Sequence, residues 1–334
     1  MAALPVDVKN NDTNEHKREP YPYEVEQDEE KSHPLNQHAD IATKLQLIRS
    51  LHLECVHYEA LDEIHKLEEY IKQKYDTKLL HSLHLHPRIQ SIHTEIAAAD
   101  NMLRLMTSSE DDWKLVKNDG QWTTEFKQET NTAYHSFRLK GIGKVQMINV
   151  LAIFYEMDLI QNWMPLCKET YQIQQLSLYC KCGYVRVGAF WPFQDREVVL
   201  FGYGVDDLKR NNKLLICFDS NVEPHRDILQ KFGIKLPEKV NNRVRIDIKI
   251  GGILLEKVEN DLNATKISLL WNVDPGVAVP ASLLNWMVGQ FAGKLLGSIV
   301  NSANSIVNDE KYQERFVRNE EFYGSVTKKL QAMR

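Results

Sequence analysis

The sequence has few cysteines, no long apolar run and no export signal, and these absences limit the class of protein. Five cysteines among 334 residues are too few for a disulfide framework, and the odd number leaves at least one unpaired. No run approaches the ~18 to 20 uninterrupted apolar residues of a membrane span, since the best candidate, 283–300, is interrupted by Asn285, Gln290 and Lys294. The N-terminus lacks the basic start and apolar core of a signal peptide. We therefore expect a cytoplasmic protein.

The charge balance gives no reason to expect a nucleic-acid partner. The chain has 41 basic and 46 acidic residues, for a net charge of -5, whereas nucleic-acid binding depends on a basic surface. No stripe of aromatic and basic residues suggests a platform for single strands. With 43% hydrophobic and 26% charged residues, the composition is that of a globular protein with a sizeable core.

The N-terminal part is predicted to be a tail followed by helices. Residues 1–38 are polar, acidic and interrupted by prolines, so we expect a disordered tail. From Ala39 to about Tyr75, apolar residues recur every three or four positions, which predicts an amphipathic helix. Pro87 begins a second helix that reaches to about Met106. We assign residues 39–88 to a helical extension.

After Trp113 the pattern changes to short strands separated by turns. Asp119-Gly120 is typical of a hairpin. One helix covers 144–160, and strands are expected at about 171–187, 197–205, 213–220, 243–258 and 264–274. Their links, "RNN", "GG" and "END", are short, so neighbouring strands should be antiparallel. A long helix follows Pro275 and Pro280. We therefore predict an α+β fold in which this helix lies in the concave face of a curved antiparallel sheet.

Three stretches carry a family resemblance. They are "EMDLIQNWMPLCKE" (156–169), "YVRVGAFWPFQDREVVLFGY" (184–203) and "LLWNVDPGVAVPASLLNWMVGQF" (269–291). Together, and in this order, they resemble the motifs of the START domain, the lipid-transfer domain named after the steroidogenic acute regulatory protein. The resemblance covers roughly 90–306. Met164, Glu197 and Val277 depart from the residues usual in that family.

The resemblance implies a fold and a function. The fold is a helix grip, in which a curved antiparallel sheet closes over a tunnel and the C-terminal helix forms the lid. We expect this START-like domain at 89–307, followed by a charged helix or tail at 308–334. The family holds one lipid in its tunnel, commonly a sterol, phospholipid or ceramide, and is not usually catalytic. We therefore expect a non-enzymatic protein without cofactors that carries a lipid between membranes and associates with them peripherally.

Two other functions stay open. In the first, the protein is a lipid-sensing scaffold, and the helices at 39–75 and 308–332 bind protein partners. In the second, which the residues favour less, the same fold hosts a hydrolase or cyclase.

Strand alternation predicts which side chains line the tunnel. Tyr184 and Arg186 should point away from it. The resemblance implies that family members which hold phosphatidylcholine form an aromatic choline cage at the positions of Val185 and Val198, and valine there does not support one. The lining should therefore carry almost no charge and suit a sterol or neutral lipid slightly better than a phospholipid. The residues expected to contact lipid are Leu176, Leu178, Val185, Val187, Val198, Leu200, Ile216, Phe218, Ile246, Ile248, Leu269, Trp271, Met287, Phe291 and Leu295, with Leu214, Val244, Ile250, Ile267 and Val273 also on the inward phase.

Three glycines repeat every fourth residue in the predicted lid helix. Gly289, Gly293 and Gly297 would form a groove on the helix, beside Trp286, along which a lipid tail could lie. The alternative is close packing of the helix on the sheet without a ligand. A membrane dimer motif is disfavoured by Lys294, which lies within the row.

The loop at 189–195 is predicted to dock on membranes. It carries Phe190, Trp191 and Phe193, which suit the membrane interface, although they could instead pack under the lid. Arg196 is expected to form a structural ion pair, with Glu197 or Asp195 as its partner.

No metal site is expected from the sequence. Ten of the twelve histidines precede residue 94, and the densest group is His81, His84 and His86. No cysteine or acid pattern completes a ligand set around them, so solvated histidines are the better account. The nucleophile elbow of hydrolases is also absent.

Overall fold

A computed structural model describes residues 19–25, 28–109, 113–129, 132–189, 193–259, 261–276 and 281–332. For residues 28, 29, 281–290, 292 and 293 it describes the backbone alone. The helices of these ranges are α1 (Asp28–Lys31), α2 (Ala39–Leu53), α3 (His57–Lys74), α4 (Thr77–His84), α5 (Pro87–Thr107), α6 (Met147–Tyr155), α7 (Leu208–Asn211), α8 (Arg226–Lys231), α9 (Ala281–Ser305), α10 (Glu310–Arg318) and α11 (Glu320–Ala332).

The strands follow the same chain order and form a mixed α+β architecture with the helices. Short 3-10 turns lie at Pro34–Gln37, Met157–Asn162, Glu223–His225 and Ile306–Asn308. The strands are β1 (Lys114–Asn118), β2 (Trp122–Gln128), β3 (His135–Gly143), β4 (Cys167–Ser177), β5 (Cys180–Val187), β6 (Asp195–Asp207), β7 (Lys213–Asp219), β8 (Arg243–Arg245), β9 (Asp247–Val258) and β10 (Asp261–Asp274).

The single helix predicted for 39–75 is two helices. The chain turns at Cys55, whose φ of 62° is in the left-handed region, so α2 and α3 pack against each other as a hairpin. Ile48, Ile64 and Leu67 are fully buried between them and α5. The continuous apolar spacing hid the break because neither glycine nor proline marks it. The helix predicted from Pro87 to about Met106 is present as α5.

The predicted disordered tail is wrong for the described part of 19–38. Tyr23 donates its backbone N–H to the Leu176 carbonyl oxygen at 2.8 Å, and Leu35 is fully buried. Arg88 Nε lies 2.7 Å from Glu30 Oε1, and both side chains are less than a tenth exposed. A few long-range anchors therefore order a segment whose composition alone predicts disorder. Residues 1–18, 26 and 27 lie outside the described residues.

The strands form one sheet in the order β1-β2-β3-β10-β9-β7-β6-β5-β4, with antiparallel pairing along this path. The predicted curved antiparallel sheet is therefore confirmed. The exception to the pattern is β8, which pairs in parallel with β6. The predicted link "GG" is also wrong, because Gly251 and Gly252 lie inside β9. A Cβ at Gly252 would be 1.6 Å from Met102 Sδ, so α5 packs closely on the sheet there.

The two faces of the sheet are covered by different helices. On one face, α5 packs on β7, β9 and β10 through Met102 and Met106, which are buried with Leu215, Leu254 and Leu270. On the other face lie α6, α9 and the C-terminal helices, which bury the largest apolar cluster of the described residues. This second face contains the candidate site.

Candidate functional site

A cavity of about 710 Å³ lies between the sheet and the helices of its second face. Its wall is built from β3, β5, β6, β7, β9 and β10 and is completed by α6, α9 and α11. This volume is in the range of cavities that hold small molecules, ~300 to 1,000 Å³. Leu269, at the centre of β10, is fully buried in this wall.

Most of the side chains expected to face the tunnel are in the cavity wall. Strand alternation places them there because the β5–β6 and β6–β7 pairs run without a register shift. The residues of the predicted set that the structure places in the wall are Val185, Val187, Val198, Leu200, Leu214, Ile216, Phe218, Ile246, Ile248, Leu269, Trp271, Val273, Phe291 and Leu295.

Leu176 and Ile250 were assigned to the wrong face. The pairing of β4 with β5 shifts at Gln172/Gln174 and again at Gln175/Ser177. A register shift reverses the side chains that follow it, and Leu176 packs with Val199 on the opposite face. A second shift, where β9 meets Asn272 and Val273 of β10, turns Ile250 toward the cluster under α5.

Three further predicted side chains lie outside the wall. Leu178 sits in the β4–β5 turn and contacts the large apolar cluster from its edge. Ile267 is fully buried in that cluster, and Val244 is on the short parallel strand β8. None of these three side chains is part of the cavity wall that the described residues form.

Tyr184 and Arg186 lie on the face away from the cavity, where alternation placed them. Tyr184 is buried with Leu176 and Val199. Arg186 Nε is 3.5 Å from a carboxylate oxygen of Glu169.

The predicted ion pair between Arg196 and Glu197 is wrong. Neighbouring residues of a strand point to opposite faces, so only Arg196 is in the cavity wall. Its guanidinium lies 5.6 Å from the centroid of the Phe193 ring, and burial lowers its pKa. Glu197 is buried on the other face, 2.9 Å from Arg245 Nη2, and accepts a hydrogen bond from Tyr184.

Lys181 is a second cation in the wall, and sequence reasoning missed it. It is 8% exposed, its Nζ donates to the Tyr155 carbonyl oxygen at 2.7 Å, and Nζ lies 3.2 Å from the centroid of the Tyr155 ring. Burial lowers its pKa from the usual 10.5 to about 8. Strand alternation could have identified it, because Lys181 and Val185 are four residues apart on β5 and therefore face the same side of the sheet. The expectation of an almost uncharged lining is therefore wrong.

Lys181 and Arg196, the two cations of the β5–β6 part of the wall, lie at opposite ends of this strand pair. Lys181 is opposite Gly202 on β6, and Arg196 is opposite Val187 on β5. They are therefore six residue steps apart along the hairpin, which corresponds to ~20 Å at 3.3 Å per residue. The wall between them includes Val185, Val198 and Leu200. The β5–β6 part of the wall is thus an apolar surface with a basic group toward each end, and Lys294 of α9 adds a third cation to the cavity.

Two solved structures share this architecture. The crystal structure of human STARD10 is 15% identical, and the match covers 66% of this chain and 81% of that chain at a TM-score of 0.51. This chain has a START-like fold. Human StAR-related lipid transfer protein 5 is 11% identical, with 65% of this chain and 98% of that chain covered at a TM-score of 0.52. No protein-family model and no curated protein matches the sequence. The predicted helix-grip architecture is therefore confirmed by structure.

Helices that sequence reasoning did not assign to the site complete the cavity of the START-like fold. Tyr155 of α6 and Phe322 of α11 are in the wall, and their rings stack with centroids 3.6 Å apart. Val326 follows one turn later. The predicted domain boundary at 307 therefore excludes part of the wall, because the charged residues of α11 obscured its apolar face.

The lid helix α9 contributes one face to the cavity. Phe291, Lys294, Leu295 and Ile299 are in the wall, at the three- and four-residue spacing of a helical face. Gly297 is not in the described part of the wall, and a Cβ there would meet no atom of the described residues within 4 Å. Neither a lipid groove nor close packing on the sheet accounts for Gly297. For Trp286, Met287, Gly289 and Gly293 the structure describes the backbone alone, so the roles predicted for them stay predictions.

The predicted membrane-docking loop is described only in part. Phe193 is half-buried in the cavity wall, whereas Phe190 and Trp191 lie outside the described residues. No described helix has the length and apolar content needed to cross a bilayer.

The histidines at 81–86 are in different environments. His84 is exposed and lies 2.9 Å from Glu68. His86 is buried, so the expectation of a solvated side chain is wrong for it, and burial lowers its pKa to about 4. Among the described residues, His81, His84 and His86 do not bring their ring nitrogens together as a ligand set.

Proposed function

We propose that this protein binds one lipid in the cavity and carries it between membranes. The observation that carries the proposal is an apolar cavity of about 710 Å³ in a START-like fold. A lipid that removes several hundred Å² of apolar surface from water gains on the order of 10 kcal/mol at ~25 cal/mol/Å². Part of this gain offsets the loss of translational and rotational freedom, and the remainder is enough for stable binding.

Lys181 is our candidate for the contact with the polar group of the lipid. An ammonium group has three donors, and within the described residues one of them is bonded, to the Tyr155 carbonyl. A buried ammonium stabilises a hydroxyl, carbonyl or phosphate oxygen more strongly than a solvated one does. The apolar body of the lipid would then extend along β5 and β6 toward Arg196. A sterol with one hydroxyl and a phospholipid both meet this description.

We propose that the end of the cavity at Phe193 and Arg196 meets the membrane surface. Phe193 and Arg196 place an aromatic ring and a cation beside each other in the wall, and Phe190 and Trp191 precede them in the sequence. Aromatic and basic residues suit the headgroup region of a bilayer. Peripheral and transient membrane contact remains our expectation for lipid exchange.

An enzymatic function has less support. The acidic side chain in the described part of the wall is Asp206. Its Oδ1 accepts the backbone N–H of Leu208 at 3.0 Å, and its Oδ2 is 2.7 Å from Lys329 Nζ. A carboxylate held by these two donors is not available as a general acid or base.

A role of the N-terminal helices as a scaffold would mainly use their polar faces. Ile64, Leu67 and Ile71 are fully buried, whereas Leu47 of α2 is 48% exposed. Cys55 of the extension also lines the cavity. We therefore propose that residues 39–88 complete the lipid-binding unit, and that any protein partner binds outside it.

The test is transfer between vesicles with two fluorescent probes, a sterol and a phospholipid. We expect the wild-type protein to transfer at least one probe and to contain lipid after purification. Leu200→Trp, which adds volume inside the wall, should abolish transfer, whereas Leu115→Trp, at an exposed site on β1, should not. No extractable lipid and no transfer of either probe would disprove the proposal.

A further inference from the structure

Three side chains with metal-binding atoms converge where the helical extension meets the sheet. His52 of α2, His57 of α3 and Glu95 of α5 come from three different helices. Glu95 Oε2 lies 2.7 Å from His52 Nε2 and 2.6 Å from His57 Nε2. The three ligand atoms all lie within 4.8 Å of one another. His57 is 1% exposed, and the Glu95 side chain is 29% exposed, so the group is partly buried and open to solvent at Glu95.

The hydrogen bonds of His57 require a cation in this cluster. Its Nδ1 is 3.0 Å from the carbonyl oxygen of Cys55, and its Nε2 is 2.6 Å from a carboxylate oxygen. Both neighbours are acceptors, yet a neutral imidazole has only one N–H. Either His57 carries a second proton, or the Glu95 carboxylate moves slightly outward from Nε2 and the two groups share a metal ion.

The surroundings have the arrangement that orients metal-binding histidines. A ligating histidine usually donates its other N–H to a carbonyl or carboxylate oxygen, and the Cys55 carbonyl oxygen is placed to accept from His57 Nδ1. That oxygen also accepts the backbone N–H of Asp206 at 2.8 Å. Cys55 has a left-handed φ of 62°, a backbone conformation that costs energy for residues other than glycine. The turn is therefore held rigidly beside the cluster.

The nearby charges permit a divalent ion. Arg88 Nη1 is 3.4 Å from His52 Nδ1, but the guanidinium is neutralised by two bonds to Glu30, at 2.7 and 3.0 Å. Coordination by His52 Nε2 would make Nδ1 a donor, so the His52 ring would have to shift away from Nη1, because the planar guanidinium is held by its two bonds to Glu30. Glu95 supplies the negative charge at the site itself.

We propose that His52 Nε2, His57 Nε2 and the Glu95 carboxylate bind one divalent transition-metal ion, with Zn²⁺ as the first candidate. Two imidazole nitrogens and one carboxylate suit zinc, and water completes the coordination. The ion would join α2, α3 and α5. It would also stabilise the wall of the cavity, because Cys55 and Tyr203 both line it and the Tyr203 hydroxyl donates to the Glu95 carbonyl oxygen at 3.2 Å.

The proposal is tested with the full-length protein after treatment with a chelator. Zn²⁺ is titrated by calorimetry and in competition with a chromophoric chelator, and Co²⁺ serves as a spectroscopic substitute. We expect one ion per chain and a higher thermal unfolding temperature with Zn²⁺, because an ion that binds only the folded state stabilises it. Glu95→Gln keeps the shape and one acceptor oxygen, and it should lose both effects.

Controls separate this site from surface histidines. His52→Asn should also abolish stoichiometric binding, whereas His65→Asn and His93→Asn, at exposed positions of α3 and α5, should bind as the wild type does. Circular dichroism shows whether each variant folds. If Glu95→Gln does not fold, His52→Asn provides the second test.

Two results would overturn the proposal. The first is stoichiometric binding that survives both Glu95→Gln and His52→Asn but is lost in His84→Asn. The second is the absence of binding by the wild type together with a doubly protonated His57 in imidazole ¹⁵N spectra, since a proton would then be the cation of the cluster.

Discussion

Replacing Lys181 by methionine should make the protein more stable and its lipid binding weaker. The folded state holds this ammonium in a largely apolar wall, where it is 8% exposed, and its pKa falls from 10.5 to about 8. One unit of pKa shift corresponds to about 1.4 kcal/mol. The lowered pKa therefore amounts to about 3 kcal/mol of destabilisation at neutral pH, which Lys181→Met removes.

The pH dependence has a defined sign. Because the folded-state pKa lies below the unfolded-state value, the unfolded chain binds more protons between about pH 8 and 10.5. The contribution of Lys181 to the free energy of unfolding therefore rises with pH in this window. Below pH 8 the methionine variant should be more stable by about 3 kcal/mol. That difference should shrink as the pH rises and be nearly gone above 10.5.

Urea unfolding of the lipid-free wild type and variant at pH 7 and pH 10 measures this difference. The same proteins are then compared in lipid binding, where Lys181→Met should bind the probe lipid more weakly although its cavity is at least as apolar. Lys140→Met, at a half-buried lysine of β3 outside the cavity, is the matched control and should leave lipid binding unchanged. A methionine variant that is less stable at pH 7, or a stability difference that does not change with pH, would refute the reasoning.

Two further predictions concern packing outside the cavity. Glu30→Ala leaves Arg88 buried without its carboxylate, so the free energy of unfolding in urea should fall by about 3 kcal/mol, and adding Arg88→Met should restore most of it. Recovery of less than half in the double variant would contradict this account of the N-terminal segment. Gly252→Ala places a Cβ against Met102 and should cost about 1 to 3 kcal/mol, whereas Gly204→Ala, where the added Cβ has ordinary contacts, should change stability little. Equal losses in the two glycine variants would contradict the close approach of α5.

The strand pattern predicted most of the cavity wall, and its failures have a common cause. Alternation is reliable while the register is constant, as along β5 and β6, where Val185, Val187, Val198 and Leu200 all face the cavity. One irregularity reverses every side chain after it. The shifts in β4 and beside β9 reversed Leu176 and Ile250. The shift in β4 has no glycine or proline beside it in that strand, whereas Gly251 directly follows Ile250 at the shift of β9, and a glycine inside a strand often marks such a bulge.

Contacts between distant residues could not be predicted from the sequence. Glu30 and Arg88 are 58 residues apart and form a buried pair, and this pair orders a segment that composition predicts to be disordered. His52 and Glu95 are 43 residues apart, so no local spacing reveals a shared ligand set. The histidines that are densest in the sequence, at 81–86, are not the ones that converge, whereas His52 and His57 meet the Glu95 carboxylate.

The charge of the cavity wall bears on its function. If the cavity wall served only to fill the protein, methionine at position 181 would make the folded state more stable. A buried ammonium lowers the stability of the fold unless it has a hydrogen-bond acceptor. Tyr155 supplies one acceptor through its carbonyl oxygen, yet the pKa of Lys181 remains near 8. A lipid with an oxygen at this end of the cavity would supply a second one and raise that pKa again. Lipid binding should therefore take up protons between about pH 8 and 10, and calorimetry in buffers of different ionisation enthalpy measures this uptake. A lipid that binds without proton uptake in this range does not place its polar group at Lys181.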